Sequence, residues 1–134
     1  MTTHATGTFE VTVAPQGSPD QAAGIALGRM HGDKQFHGDL EGTSKLEMLT
    51  AAADSTGAGA YVALERVTGT LSGRRGSFVL MHSGTRTRDG QHLTVTVAPG
   101  LGTGLLVGLA GAMTITIVDK KHLYDLEYTL PTGP

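Results

Sequence analysis

An all-β fold, an eight-stranded antiparallel β-barrel, is predicted by three features of this sequence. Apolar and polar residues alternate along several segments, as in residues 8–14, and a period of two is typical of half-buried strands. Short turns rich in glycine separate the segments. The chain has 20 glycines among 134 residues, and single glycines within strands mark bends and close backbone approaches. We expect one domain spanning residues 1–134.

The alternating segments number eight, and their connections are short. The predicted strands cover residues 6–14, a segment within 21–35, and residues 39–50, 61–71, 77–84, 92–98, 109–118 and 122–130. Closure of eight strands into a barrel would remove the exposed edges of an open sheet. A barrel of this size is either filled by side chains or holds one small ligand. A two-sheet sandwich is the alternative.

The fourth and fifth predicted strands carry two titratable residues on their apolar face. A turn centred on Gly73 and Arg74 places Glu65 opposite His82. This face should point inward, because the hydrophobic side sets the register. A carboxylate and an imidazole in a dry interior form a candidate acid–base site. The alternative is a structural polar pair that fixes the register. The same face carries Ala63, Val67, Gly69, Phe78 and Leu80.

The last predicted hairpin adds two tyrosines to the interior. A turn at Lys120 and Lys121 pairs residue 117 with Tyr124, residue 115 with Leu126, and residue 113 with Tyr128. Buried tyrosine hydroxyls need hydrogen-bond partners. The Glu–His pair is one source of such partners.

The second and third predicted strands leave two alternatives open. A turn at residues 37–38 pairs Gln35 with Leu40. The face that carries Leu40 and Leu46 then also carries polar residues. Either the barrel is polar in this sector or the register contains a bulge. The polar residues on that face are Arg29, His31, Asp33 and Gln35.

Composition excludes several classes of partner. A net charge of −2 predicts no nucleic-acid partner. No apolar run approaches the roughly 20 residues of a membrane helix, and the N-terminus lacks a signal-peptide pattern, so we expect a cytoplasmic protein and no membrane partner. The six histidines are scattered and the chain has no cysteine, so we predict no metal site. Residues 102–104 lack the context of a phosphate-binding loop, and we predict no cofactor.

Four ordered motifs resemble a bacterial family of small uncharacterised proteins that is similar in fold to plant allene oxide cyclase. The motifs occupy residues 34–44, 61–71, 76–84 and 122–128, and the glycine-rich residues 102–111 resemble a segment of allene oxide cyclases and dirigent proteins. The resemblance implies an allene oxide cyclase-like barrel and a homo-oligomer, a trimer rather than a dimer. It implies no settled activity. Family members have a glutamate where this chain has Leu105.

Together these features predict a barrel that binds a small apolar molecule. In its catalytic form, this prediction is a cofactor-independent isomerase, cyclase or eliminase. Glu65 and His82 would transfer protons, and Tyr124 and Tyr128 would orient the substrate. If the desolvation of Glu65 dominates, its carboxyl group becomes a general acid or base near neutral pH. The alternatives are a non-catalytic binding protein and a purely structural oligomeric barrel. The predicted pocket wall consists of Ser44, Val67, Phe78, Leu80, Met113 and Ile115.

Overall fold

In a computed structural model, which describes residues 2–131, the chain forms ten β-strands, and this part of it contains no helix. It follows that the described residues include no helix able to cross a membrane. The strands are β1 (Thr3–Pro15), β2 (Asp20–Ala22), β3 (Ile25–Gly38), β4 (Leu40–Ala53), β5 (Gly59–Leu71), β6 (Arg74–Thr87), β7 (Gly90–Val97), β8 (Thr103–Gly104), β9 (Ala110–Val118) and β10 (Lys121–Thr129).

Eight of these strands form a closed antiparallel barrel, which confirms the predicted fold class. Their order is β1-β10-β9-β7-β6-β5-β4-β3, and β1 closes the barrel by pairing with β3 from Gly7 to Pro15. The short β2 pairs with the beginning of β3, and the two residues of β8 pair with β6. The pairing of β7 with β9 is limited to Thr96 and Ala112. This seam is therefore the least hydrogen-bonded join in the barrel.

The turn between β5 and β6 corrects the register predicted there. His82 pairs with Ala63, and Glu65 pairs with Leu80, so the prediction that Glu65 and His82 are directly opposite is wrong. The turn residues are Ser72 and Gly73, both with positive φ (46° and 88°), as a two-residue hairpin turn of type I′ requires. The pairing moves by two residues, so every side chain keeps its predicted face. Glu65 and His82 still point inward.

The last hairpin shows the same two-residue correction. Its turn is Asp119 and Lys120, with φ of 51° and 67°, one residue earlier than predicted. Because the shift is again even, Tyr124 and Tyr128 keep their inward direction and both are buried. The observed pairs are Ile117 with His122, Ile115 with Tyr124, Met113 with Leu126 and Gly111 with Tyr128.

The pairing of β3 with β4 differs from the prediction by an odd number of residues. Gln35 pairs with Thr43, and Lys34 pairs with Ser44, because the turn is centred on Asp39, the single residue between β3 and β4. An odd shift reverses the face of every side chain on one strand. The polar residues predicted inside are therefore exposed outside, and Lys34 is buried inside. The outward residues are Arg29, His31, Asp33 and Gln35.

The two ends of the barrel differ in how they are filled. At one end, called the closed end below, Leu40, Leu71 and Leu106 are fully buried. Leu106 belongs to the glycine-rich segment, which is held against β6 by a hydrogen bond from the Leu105 amide to the Arg75 carbonyl (2.9 Å). The other end, called the open end, leaves the inward-facing Leu93 46% exposed and Ile117 65% exposed. The barrel is therefore a packed core with an unfilled mouth.

Gly69 allows β4 and β5 to approach closely, and its replacement tests this packing. A Cβ atom added there would overlap the carbonyl oxygen of Glu41 and lie 2.7 Å from the Cα of Gly42. We expect Gly69→Ala to lower the free energy of unfolding by about 2 kcal/mol or more, measured by urea denaturation. The control is Gly59→Ala, whose added Cβ would lie 3.4 Å from the nearest backbone oxygen. Equal loss in both variants would contradict the close approach.

Candidate functional site

Four polar side chains from four consecutive strands meet inside the barrel. Lys34 of β3, Ser44 of β4, Glu65 of β5 and His82 of β6 are all buried, and Glu65 is fully enclosed. Each lies on the inward face because side chains alternate along a strand. We call these four residues the Glu65 cluster. Its members come from segments far apart in the chain, so only the barrel brings them together.

Glu65 accepts hydrogen bonds from the other three members. Its Oε1 is 2.7 Å from His82 Nε2 and 3.1 Å from Lys34 Nζ. Its Oε2 accepts a bond from Ser44 Oγ at 2.5 Å. A carboxylate with this many donors is favoured over a carboxylic acid, because each donor stabilises the negative charge.

The burial of Glu65 and its partners act on its pKa in opposite directions. Burial alone would raise the pKa of this carboxyl group. The hydrogen bond from His82, the positive charge of Lys34 and the hydrogen bond from Ser44 together outweigh burial and hold the pKa below its ordinary value of 4.5. The partners together therefore outweigh desolvation, the largest single effect, and Glu65 is ionised at neutral pH.

Lys34 balances the charge of Glu65 and also lies against two aromatic rings. Its Nζ is 4.4 Å from the ring centre of Phe9 and 5.7 Å from that of Phe36. An ammonium group is attracted to the face of an aromatic ring, which partly replaces the water that burial removes. The buried pair Lys34–Glu65 therefore carries no net charge into the core.

The ionised state of Glu65 decides how the imidazole of His82 is protonated. A carboxylate can only accept hydrogen bonds, so His82 Nε2 must carry the hydrogen. In neutral His82 the lone pair is then on Nδ1, which makes no hydrogen bond to any described residue. Among those residues, no enclosed side-chain nitrogen or oxygen lacks a partner, so Nδ1 is not sealed from solvent. A carboxylate that orients a histidine in this way is a recurring arrangement for a general base.

A cleft of about 390 Å³ occupies the inward face at the open end of the barrel. Met48, Tyr61, Gly84 and Leu93 line it, together with Arg86 near the rim. His82 lies two residues deeper along β6 than Gly84, and Ala63, its cross-strand partner, lies two residues deeper along β5 than Tyr61. The cleft therefore lies on the open-end side of the Glu65 cluster, whose four residues are not among those that line it.

Tyr61 is a polar group of the cleft and was not among the predicted site residues. It is half-buried, and its ring lies against Gly84 on the neighbouring strand, where an added Cβ would overlap it. Burial raises the pKa of its phenol, and the charge of Glu65 raises it further. Tyr61 therefore remains a hydrogen-bond donor at neutral pH.

The two predicted tyrosines lie elsewhere in the barrel. The hydroxyl of Tyr124 shares its single hydrogen between the backbone carbonyls of His37 (3.0 Å) and Leu40 (3.2 Å) and accepts from the Leu40 amide (2.9 Å), so it braces the turn between β3 and β4. Tyr128 pairs with Thr3 and Gly111, towards the closed end. Neither hydroxyl makes a hydrogen bond to the Glu65 cluster.

The residues predicted for the pocket wall all belong to the barrel interior. Val67, Phe78 and Leu80 are buried below the cleft in the hydrophobic core. Ser44 is part of the Glu65 cluster. Met113 is buried and Ile115 is partly buried against the same core. These side chains support the floor of the site, whereas the cleft above it has its own lining.

Lys34 and Tyr61 had signals in the sequence that the predicted pairing obscured. The predicted register brought four polar residues of β3 inside; the opposite parity brings Lys34 inside with Phe36 and leaves those four outside. Tyr61 lies two residues before Ala63 and four before Glu65, so the same alternation places it on the inward face of the strand. Among residues 2–131 no group of three or more His, Cys, Asp or Glu side chains is placed to hold a metal ion.

Removal of the central carboxylate should destabilise the fold. We expect Glu65→Gln to lower the free energy of unfolding by about 3–5 kcal/mol, because it leaves the charge of Lys34 buried without an anion. Urea denaturation measures this loss. Glu47→Gln is the matched control, since Glu47 is exposed on the neighbouring strand. The double variant Lys34→Met/Glu65→Gln should be more stable than Glu65→Gln, and a further loss instead would contradict the charge-balance explanation.

The lowered pKa of Glu65 predicts a pH dependence of stability. The unfolded state binds a proton near the ordinary pKa of 4.5, whereas the folded state resists it. The stabilisation is therefore fully present above that pH and is lost as the pH falls from about 4.5 through the folded pKa. Between pH 7 and pH 3, we expect the melting temperature of the wild type to fall more steeply than that of Lys34→Met/Glu65→Gln. Parallel curves would show that Glu65 contributes nothing to the acid sensitivity.

The comparisons with known proteins agree with this fold and assign no activity. No curated protein matches the chain. A crystal structure of a protein of unknown function from Shewanella oneidensis MR-1 is 41% identical, covers 98% of this chain and 99% of its own, and superposes with a TM-score of 0.90. These matches do not confirm the likeness to allene oxide cyclase. The family model described as a protein of unknown function (DUF3224) matches residues 5–128, and the chain belongs to that family.

Proposed function

We propose that this protein binds a small, largely apolar molecule in the open-end cleft and transfers protons on it without a cofactor, as an isomerase, cyclase or eliminase. The observation that carries the proposal is the 2.7 Å contact between Glu65 Oε1 and His82 Nε2, beneath a cleft of about 390 Å³. A buried titratable pair next to a concave, mostly apolar site is typical of a functional site.

The base in this proposal is His82 Nδ1. It removes a proton from a carbon next to a carbonyl group of the bound molecule, and the imidazole becomes positively charged. Glu65 stabilises that charge, because its carboxylate is 2.7 Å from the other ring nitrogen. The imidazolium, whose Nδ1 hydrogen exchanges with solvent, then delivers a proton to a different atom of the ligand, which isomerises it, or to a leaving group, which completes an elimination. No oxidant or reductant is needed.

Tyr61 is the proposed partner of the developing oxyanion. Its phenol stays protonated because burial and the charge of Glu65 both raise its pKa. It lines the cleft four residues from Glu65 on the same face of β5. A donor held in that position stabilises an enolate more than the neutral carbonyl. Tyr124 is less suited to this task because its hydroxyl is already bonded to backbone groups of the β3–β4 turn.

Two alternatives use the same observations differently. A non-catalytic binding protein would use the apolar cleft alone. A purely structural barrel would use the Glu65 cluster to hold four strands in register, and the filled core below Glu65, with Phe36, Val67 and Phe78 fully or almost fully buried, favours it. Ligand binding separates the structural alternative from the other two, and proton exchange separates the binding protein from the enzyme.

The homo-oligomer and the cytoplasmic location remain predictions. Self-association is supported by exposed apolar side chains on the outer face of β4, β5 and β6, including Leu49, Leu64 and Met81. Exposed apolar patches often mark interaction sites.

A ligand screen followed by proton exchange tests the proposed function. Small apolar ketones and phenols are first screened for an increase in melting temperature. A ligand present at 100 times its dissociation constant adds about 2.7 kcal/mol to the free energy of unfolding. Bound ketones are then incubated with the protein in D₂O, and proton NMR follows the loss of the hydrogens next to the carbonyl. We expect His82→Gln to slow this exchange by about 100-fold or more while binding is retained.

The matched control is Tyr128→Phe, which changes a buried side chain towards the closed end. It should exchange at the wild-type rate. If His82→Gln exchanges these hydrogens at the wild-type rate, His82 is not the base, and the result favours a non-catalytic binding protein. A screen with no stabilising compound, together with a folded His82→Gln variant, would favour the structural barrel.

A further inference from the structure

We infer that the molecule taken up by the open-end cleft carries a carboxylate, and that Arg86 binds this group at the rim while the apolar body extends towards His82. The inference rests on the proposed binding function and adds the chemical class of the ligand. It is independent of whether proton transfer takes place.

Arg86 lies on the inward side of β6, above the base. It is four residues beyond His82 and two beyond Gly84 on the same strand face, opposite Gly59 of β5 and Gln91 of β7. It lines the cleft and is itself exposed. Arg86 is thus the cation that a molecule entering this cleft meets first.

The guanidinium of Arg86 is available for a ligand. Within residues 2–131 no carboxylate lies within 4.0 Å of it, whereas Lys34 and Lys45 both have carboxylate partners. Its protein hydrogen bond runs from Nε to the carbonyl of Gly57 at 3.3 Å, which fixes the side chain and leaves the terminal N–H groups unused. A planar guanidinium with free N–H groups matches a carboxylate with two parallel hydrogen bonds.

The surroundings of Arg86 leave its charge without a counterion. The residues that line the cleft, as far as the structure describes them, include no aspartate or glutamate. Glu65 lies deeper and is balanced by Lys34. Gly59, opposite Arg86, has no side chain to cover the guanidinium, and even an added Cβ would stop 3.8 Å from its Nη2. The rim is therefore positive and open, and the wall beneath it is apolar.

The spacing along β6 sets the length of the ligand. Four residues of an extended strand span about 13 Å. A molecule that reaches both Arg86 and His82 therefore has its carboxylate at one end and its reactive carbon several bonds away, joined by an apolar chain or ring. Met48, Tyr61 and Leu93 would contact that middle part. Short polar acids do not fit this separation.

A pair of probes with the same body tests the inference. The binding of 6-phenylhexanoate and of its uncharged amide is measured by calorimetry for the wild type, Arg86→Gln and the control Arg75→Gln, an exposed arginine beside the turn at the closed end. We expect the wild type and Arg75→Gln to bind the acid more tightly than the amide. Arg86→Gln should lower the affinity for the acid by about 10- to 100-fold and leave the affinity for the amide unchanged. In the wild type, high salt should lower the affinity for the acid but not the affinity for the amide.

Equal affinity of the wild type for the acid and the amide, no binding of either probe, or an acid preference that survives in Arg86→Gln would each overturn the inference. The failure of the proposed proton transfer is read separately. If His82→Gln leaves proton exchange unchanged while Arg86→Gln abolishes the acid preference, the ligand class stands and the catalytic role falls. Melting temperatures of all variants check that each is folded.

Discussion

The carboxylate of Glu65 is the constraint on which the interior of this barrel depends. Its two oxygens accept hydrogen bonds from Lys34 of β3, Ser44 of β4 and His82 of β6. Burying a lone charge would be prohibitive, and burying it with a cation and two further donors is tolerable. The same bonds hold β3 to β6 in one register, because any slip would leave a charge without its partner.

The position of this cluster divides the barrel into two parts. Below it, large side chains such as Phe36 and Phe78 fill the interior to the closed end. Above it, the inward face opens into a cleft whose apolar residues remain partly exposed. Burying polar groups at the boundary between a packed core and an open cleft costs free energy unless they are hydrogen-bonded to one another. Perturbed titratable groups at such a boundary are often found at functional sites.

The cluster links structure to chemistry through protonation. Because Lys34, Ser44 and His82 keep Glu65 ionised, His82 must direct its Nε2 hydrogen at the carboxylate. The remaining ring nitrogen is then the group able to accept a proton. A carboxylate held in this way orients and stabilises an imidazole, and does not itself supply a proton. The lowered pKa of Glu65 thus fixes the hydrogen of His82 on Nε2, and Arg86 and Tyr61 lie on the open-end side of this pair.

The sequence by itself determined the fold class and, for most strands, the inward face. Alternation with period two is written in the residues, and an even error in pairing preserves it, which is why Glu65, His82, Tyr124 and Tyr128 were correctly predicted inside. Register was decided by turn conformation: positive φ at Ser72 and Asp119 placed each turn one residue earlier than predicted. The odd correction between β3 and β4 brought Lys34 to Glu65. Such contacts join residues 31 positions apart, and because local patterns carry no information about pairing across strands, only the closed barrel settled them.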